Sequence, residues 1–353
     1  MAFASGYYKT TYFEDMSLIE TRSRLTCFCV LIAILVFFPL IASPFLVDLA
    51  VQVFLALIGA VALMLLTGYA GQISLGHAGL VAAGAFTTAI LFKEVNAPIF
   101  VTLPASGLMG AILGLIFGLP SLRLKGLYLA LSTLSLHFIV IYLGAEYETH
   151  RGFATGILVD PPQIGPLVIE DARLWYYLLL IIDFIVIVFA LNLVRSKTGR
   201  AWMAIRARDV AAEAFGIKVA RYKLIAFVLS SVLASITGCL FAYYRGFVSV
   251  EAFSLFMTIE YIAMICIGGL GSILGAVMGT IFIVILPYVI DASVDLLSMP
   301  ARLTTYMFAV KYGSFGLIMI IFLVLEPSGL VAIWHRLRDY FLLWPFKHKS
   351  VGR

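Results

Sequence analysis

The chain has 353 residues, of which 63% are hydrophobic and 12% charged, with a mean hydropathy of +1.07. A water-soluble globule of this size cannot hide that much apolar surface, so the composition excludes a soluble enzyme or binding module and points to an all-α polytopic membrane protein. The net charge of +5 is spread over connecting segments with no binding fold beside it, so no nucleic-acid partner is expected.

Residues 1–24 are of mixed character and precede an apolar run too long for a typical signal core, so they read as a cytoplasmic segment before a retained first span. Crossing a bilayer core takes roughly 20 apolar residues. About ten such spans are expected: Leu25–Ala42, Leu46–Leu65, Leu80–Phe92, Ile99–Gly118, Leu127–Gly144, Leu174–Leu193, Leu224–Tyr243, Leu255–Gly268, Ile273–Ile290 and Phe315–Trp334. They make up a transmembrane domain over 25–335, followed by a tail over 336–353. The third and eighth spans are short, which marks either helices broken near the midplane or blurred element ends.

Between the second and third spans stands LTGYAGQISLGHAG, with Gly68, Gly71, Gln72, Ser74, Gly76, His77 and Gly79. Lipid cannot satisfy a backbone, so a polar stretch broken by glycines survives at membrane depth only where protein or a water-filled cavity surrounds it. These residues are candidates for a solute pathway, and a side chain at Gly71 or Gly76 is expected to close it.

Lys and Arg accumulate in cytoplasmic loops. The segment 195–223 carries Arg195, Lys197, Arg200, Arg206, Arg208, Lys218, Arg221 and Lys223 against Asp209 and Glu213, which places it inside. Ten spans then put both termini inside, together with Arg123 and Lys125, and leave the acid-leaning connection Ala145–Arg173 outside. Within the basic segment, Met203–Lys218 reads as a short amphipathic helix with Asp209 at its N-cap and Gly216 at its end. It suits either a groove on a cytoplasmic partner or an anionic lipid surface.

Catalytic signatures are missing. There is no G-x-x-x-x-G-K-[ST] phosphate loop, no H-E-x-x-H zinc site and no G-x-S-x-G elbow, and the histidines show no ligand spacing. Neither metal nor cofactor is expected. Cys27, Cys29, Cys239 and Cys266 lie in apolar spans as small hydrophobes. If transport is powered, the motor is another chain or an ion gradient. A gradient calls for a relay of intramembrane ionisable groups, and Asp183, Glu260 and His137 are scattered. Glu260 is a cavity candidate, since Gly268, Gly269 and Gly271 open a second glycine-rich break eight residues later. Gly271, Gly275 and Gly279, like Gly110, Gly114 and Gly118, have the four-residue spacing of close helix packing.

The stretches LTGYAGQISLGHAGLVAAGAF and GLYLALSTLS, the run from GRAWMAIRARDVAAEAFGIKVARYKLIAF through IEYIAMICIGGLGSILGAVMGT, and the closing EPSGL resemble the branched-chain amino acid permease family of ATP-binding cassette (ABC) importers, nearer the LivM-type subunit than its LivH-type partner. The resemblance implies a second, paralogous LivH-like permease subunit, two separate cytoplasmic ATP-binding subunits, a soluble solute-binding protein and a bacterial or archaeal inner membrane. It maps a coupling segment onto Arg206, Asp209, Ala212, Glu213, Ala214, Phe215 and Gly216. It maps the pathway onto the first glycine break, Glu260, Gly268 and Gly269. Members also carry urea, amides and aromatic acids. This chain departs from the family at Thr149–Ile157, where His150 and Arg151 stand. Arg151 suits a solute carboxylate, or else a pair with Glu146 or Glu148 or an acidic patch on the binding protein. An ion-coupled carrier or channel is the other class left open.

Overall fold

A computed structural model describes residues 22–122, 124, 126–153, 156–164, 167–296, 307–326 and 328–343. The expected segments 1–21 and 344–353, together with Arg123, Lys125, Ala154, Thr155 and Pro327, lie outside the described residues.

The apolar runs become helices because a spanning backbone must satisfy its own hydrogen bonds. In chain order they are α1 (Arg22–Ile41), α2 (Pro44–Leu63), α3 (His77–Val95), α4 (Ile99–Ser121), α5 (Leu127–Arg151), α6 (Ala172–Arg195), α7 (Lys197–Ala207), α8 (Asp209–Ala214), α9 (Val219–Arg245), α10 (Leu255–Gly268), α11 (Ile273–Leu296), α12 (Met307–Leu325) and α13 (Leu330–Leu343). Among the described residues seven helices are long and apolar enough to cross a membrane, and Thr26–Ile41, Leu255–Gly268 and Gly313–Phe322 are shorter apolar stretches. The chain is an all-α polytopic membrane protein.

Several expected boundaries shift, the fifth span running on to Arg151, and two of the shifts change the reading. The third span starts at His77 and runs 19 residues, a full crossing, because Gly76 ends the irregular stretch and His77 is already helical. The last expected span divides: α12 stops at Leu325, Gly329 turns the chain at φ +76°, and α13 carries Trp334 away on its own helix. The eighth span stays short, 14 residues in α10.

Helix α9 is the hub, packing against α4, α3 and α2. Small residues set those distances. A Cβ at Gly84 would strike the backbone of Ser235, and one at Gly238 the backbone of Val81. The Ser235 hydroxyl donates to the Leu80 carbonyl at 2.9 Å. Gly110 and Gly114 seat α4 against Ser231 of the same helix, and Gly275 and Gly279 press α11 onto Gly268 of α10, so both four-residue spacings are packing surfaces. Helix α2 is buried along most of its length, whereas α6 turns most of its surface outward.

Short strands staple the end of the bundle opposite α7 and α8. Strand β1 (Ile157–Leu158), after α5, pairs antiparallel with β4 (Phe247–Val248), after α9. Strands β2 (Gln163–Ile164) and β3 (Leu167–Val168) form a separate pair. A single 3₁₀ turn, Val250–Phe253, leads into α10.

Candidate coupling site and pathway

Both glycine breaks are real interruptions, and they meet. Helix α2 ends in a π turn, Met64–Tyr69, after which the chain is irregular to Gly76. Gly71 stands at φ +69°, Gly269 at +117° and Gly271 at +85°, conformations that a side chain resists. A Cβ at Gly68 would lie 3.0 Å from the Gly271 amide nitrogen, and that amide points to the Met64 sulfur at 3.3 Å. The end of α2 and the α10–α11 joint therefore touch.

Arg206 of α7 closes this junction. Its Nη1 donates to the Gly68 carbonyl oxygen, which the end of the helix leaves without an intrahelical partner. A Cβ at Gly71 would sit 3.2 to 3.3 Å from the Arg206 Cγ, Cα and Cβ, and the guanidinium occupies the space a Cβ at Gly271 would take. A cation over the carbonyl end of a helix is electrostatically favoured, and a charge-assisted bond is roughly twice as strong as a neutral one. One side chain from the basic segment thus binds the two broken elements together.

The rest of the first break is a knot of ties. The Gln72 amide donates to the Lys223 carbonyl at 2.9 Å, and the Thr133 hydroxyl accepts from the Leu75 amide at 2.9 Å. The Ala78 amide reaches the Thr258 hydroxyl at 3.0 Å. His77 is fully buried, with Nε2 at 2.9 Å from the Gly59 carbonyl oxygen and its ring edge-on to Tyr261. Ser74 is buried, and its hydroxyl has no hydrogen-bond partner among the described residues. Gly76 allows close approach: a Cβ there would fall 2.8 Å from the Thr133 carbonyl carbon. Among the expected pathway residues, then, Gln72, Gly76 and His77 fasten α3 to α2, α5 and α9, and the constraint at Gly76 is one of packing.

The basic segment forms two helices where one was expected. Arg208 is extended, at φ −160° and ψ 114°, between α7 and α8. Asp209 opens α8 without capping it, because its carboxylate is drawn to Lys223 Nζ at 2.6 Å. Gly216 does end the helix, at φ +81°. Ala212 and Ile205 are buried against the bundle, while Glu213, Ala214 and Gly216 are exposed, with Val210 76% and Phe215 87% exposed. Truly bare apolar side chains on a two-turn helix form a small, protruding knob.

Glu260 and Arg151 stand at the opposite end. Glu260 lines a cavity of about 430 Å³ between α2, α9, α10 and α11, together with Gln52, Tyr244, Arg245, Tyr288 and Asp291. Sequence reasoning missed those five, since they come from three helices and no local spacing brings them together. Arg151 is outside that cavity and bonded to Glu94 at 2.6 Å, with neither Glu146 nor Glu148 as partner. His150 takes Glu146 at 3.2 Å, and Glu148 accepts the Val250 amide at 3.1 Å. Asp183 is buried on α6, where its Oδ2 lacks a hydrogen-bond partner among the described residues.

Residues 45–324, which span α2 to α12, match the family model described as the branched-chain amino acid transport system permease component. The chain belongs to this family. It is 31% identical over 279 residues to the high-affinity branched-chain amino acid transport system permease protein LivM of Escherichia coli K12, covering 72% of the chain and 66% of the relative. The probable branched-chain amino acid transport permease protein LivM of Methanocaldococcus jannaschii is 26% identical over 229 residues, 64% of this chain and 66% of that one. The autoinducer 2 import system permease protein LsrC of an Enterobacter strain is 27% identical over 185 residues, 50% and 51% respectively. The matched part thus spans slightly less than two thirds of the length of its LivM relatives. No solved structure matches the chain significantly.

Proposed function

We propose that the chain is the membrane-spanning subunit of an ATP-driven importer in a bacterial or archaeal inner membrane, passing a small polar solute such as a branched-chain or other amino acid. In this reading the chain has no ATPase site of its own. It works beside a LivH-like paralogue, two cytoplasmic ATP-binding chains and an external solute-binding protein. Residues 25–335 form the permease domain, with both termini and the segment 195–223 on the cytoplasmic side.

The observation that carries the reading is Arg206. It bridges a helix pair with an exposed apolar knob to the joint where two glycine-broken elements meet. A rocking motion delivered to α8 by a docked ATPase would reach Gly68, Gly71 and Gly271 through α7 without a flexible linker. Val210 and Phe215 fit a partner's groove, where a short apolar helix gains affinity by burying its bare side chains.

The test is uptake of radiolabelled L-leucine into proteoliposomes holding this chain with the paralogous permease, both ATPases and the binding protein. ATP-dependent uptake is expected. Uptake that runs on an ion gradient and ignores ATP would replace the importer with a secondary carrier.

A further inference from the structure

The cavity lined by Glu260 has a pattern of charge that the coupling site does not explain. Most of its polar wall is already self-satisfied. The Gln52 amide donates to Asp48 at 2.9 Å, the Tyr288 hydroxyl donates to Gln52 Oε1 at 2.9 Å, and the Tyr244 hydroxyl donates to Asp48. Asp291 is also engaged within the protein. Two groups of opposite sign are left over. Glu260 forms no hydrogen bond or ion pair with any described residue, and Arg245 rests its guanidinium 5.5 Å over the Phe241 ring without a described carboxylate partner. Glu260 is half-buried within α10, where an unpaired charge is costly and marks a pathway or ligand site, while Arg245 is exposed in the last turn of α9 and reaches the cavity from its rim.

The remaining lining is apolar and includes Leu55, Ala56, Met264, Val284 and Pro287. The volume of about 430 Å³ lies within the range typical of small-molecule sites. A simple cation would be drawn to Glu260 and repelled by Arg245, and a simple anion the reverse. A zwitterion satisfies both and offers its side chain to the apolar wall. Resting on the importer reading, we infer that this cavity is a membrane binding site for a zwitterionic amino acid with an apolar side chain, Glu260 receiving its ammonium group and Arg245 its carboxylate.

The experiment is equilibrium binding to the complete nucleotide-free complex in lipid nanodiscs, using radiolabelled L-leucine with leucinamide and 4-methylpentanoate as competitors. Leucinamide lacks the carboxylate and 4-methylpentanoate lacks the ammonium group. The wild type should prefer leucine over each by about tenfold or more, the size expected for a hydrogen-bonded charge pair. Glu260→Gln should lose the preference over 4-methylpentanoate alone, and Arg245→Gln the preference over leucinamide alone. A second readout does not depend on those variants folding: with the four native cysteines replaced by alanine, leucine should protect Val284→Cys from a maleimide, and leucinamide should not. Equal affinity for all three compounds, or no protection, while ATP-driven uptake persists, overturns the cavity assignment and leaves the importer standing. Loss of ATP dependence in the wild-type complex instead removes the importer reading.

Discussion

Arg206 donates from Nη1 to the carbonyl oxygen of Gly68, so a helix lying outside the bundle of spans is bonded to the frayed end of its most buried member. The contact is charged on one side and geometrically fixed on the other, since Gly68 sits in a π turn and Gly71 in a left-handed conformation.

Removing that guanidinium should separate the motor from the path. A hydrogen bond to a charged group contributes about 1.5–3 kcal/mol. Arg206→Met is therefore expected to lower ATP-driven uptake about tenfold or more while ATPase activity continues. Arg206→Lys should recover only part of the loss, because an ammonium is a compact, strongly hydrated charge without the fixed plane that holds Nη1 on the Gly68 carbonyl. Parallel uptake and ATPase assays on one reconstituted preparation decide the matter, and a proportional fall in both would mean a folding defect.

The exposed knob on α8 should be dispensable for folding. Phe215 is 87% exposed, and surface substitutions of this kind usually change stability by less than about 0.5 kcal/mol. Glu213→Lys combined with Phe215→Lys should leave the thermal transition in place and abolish co-purification with the ATP-binding chains. Full co-purification by this variant would assign the knob to lipid.

The two glycines of the first break should behave differently. Gly71→Ala meets a backbone at φ +69° and should cost about 1 kcal/mol, with correctly assembled protein and impaired uptake. Gly76→Leu drives a side chain into the Thr133 carbonyl between α3 and α5 and should leave little folded protein in the membrane fraction. Abundant, stable Gly76→Leu protein would show that α3 and α5 can part without penalty.

Arg151 is bonded to Glu94 at 2.6 Å, with its own side chain 53% exposed. Exposed pairs of this kind contribute about 1 kcal/mol or less. Arg151→Gln should therefore lower uptake of leucine and of its amide by the same small factor. A selective loss for the carboxylate compound would bring the solute to Arg151 after all.

The spans, the two breaks and the close-packing glycines were legible because each leaves a local mark: hydropathy over about 20 residues, glycine at fixed spacing, or glycine within a polar run. What the sequence hid was pairing across it. Gly68 and Arg206 are 138 positions apart, and Glu94 and Arg151 come together only once α3 and α5 are side by side. Asp209 is a residue type suited to an N-cap, yet its carboxylate goes to Lys223, because the ammonium outcompetes the backbone amides of a two-turn helix. The cavity was hardest to read. Gln52, Tyr244, Tyr288 and Asp291 come from three helices, and their meeting depends on the packing of α2, α9 and α11.

The two-residue ladder between Ile157–Leu158 and Phe247–Val248 sits in the short connection between the helices that carry Arg245 and Glu260. Strand β4 follows directly on α9, so the Arg245 side of the mouth is braced by the segment after α5 and by the long contact of α9 with α4. Helix α10, which carries Glu260, is pinned near the same end by the buried Phe253 and by the Ala78 amide on the Thr258 hydroxyl, and at its far end by the joint that Arg206 holds. The two charges facing the cavity therefore sit on neighbouring helices joined by one short braced segment, so their spacing is written into the backbone.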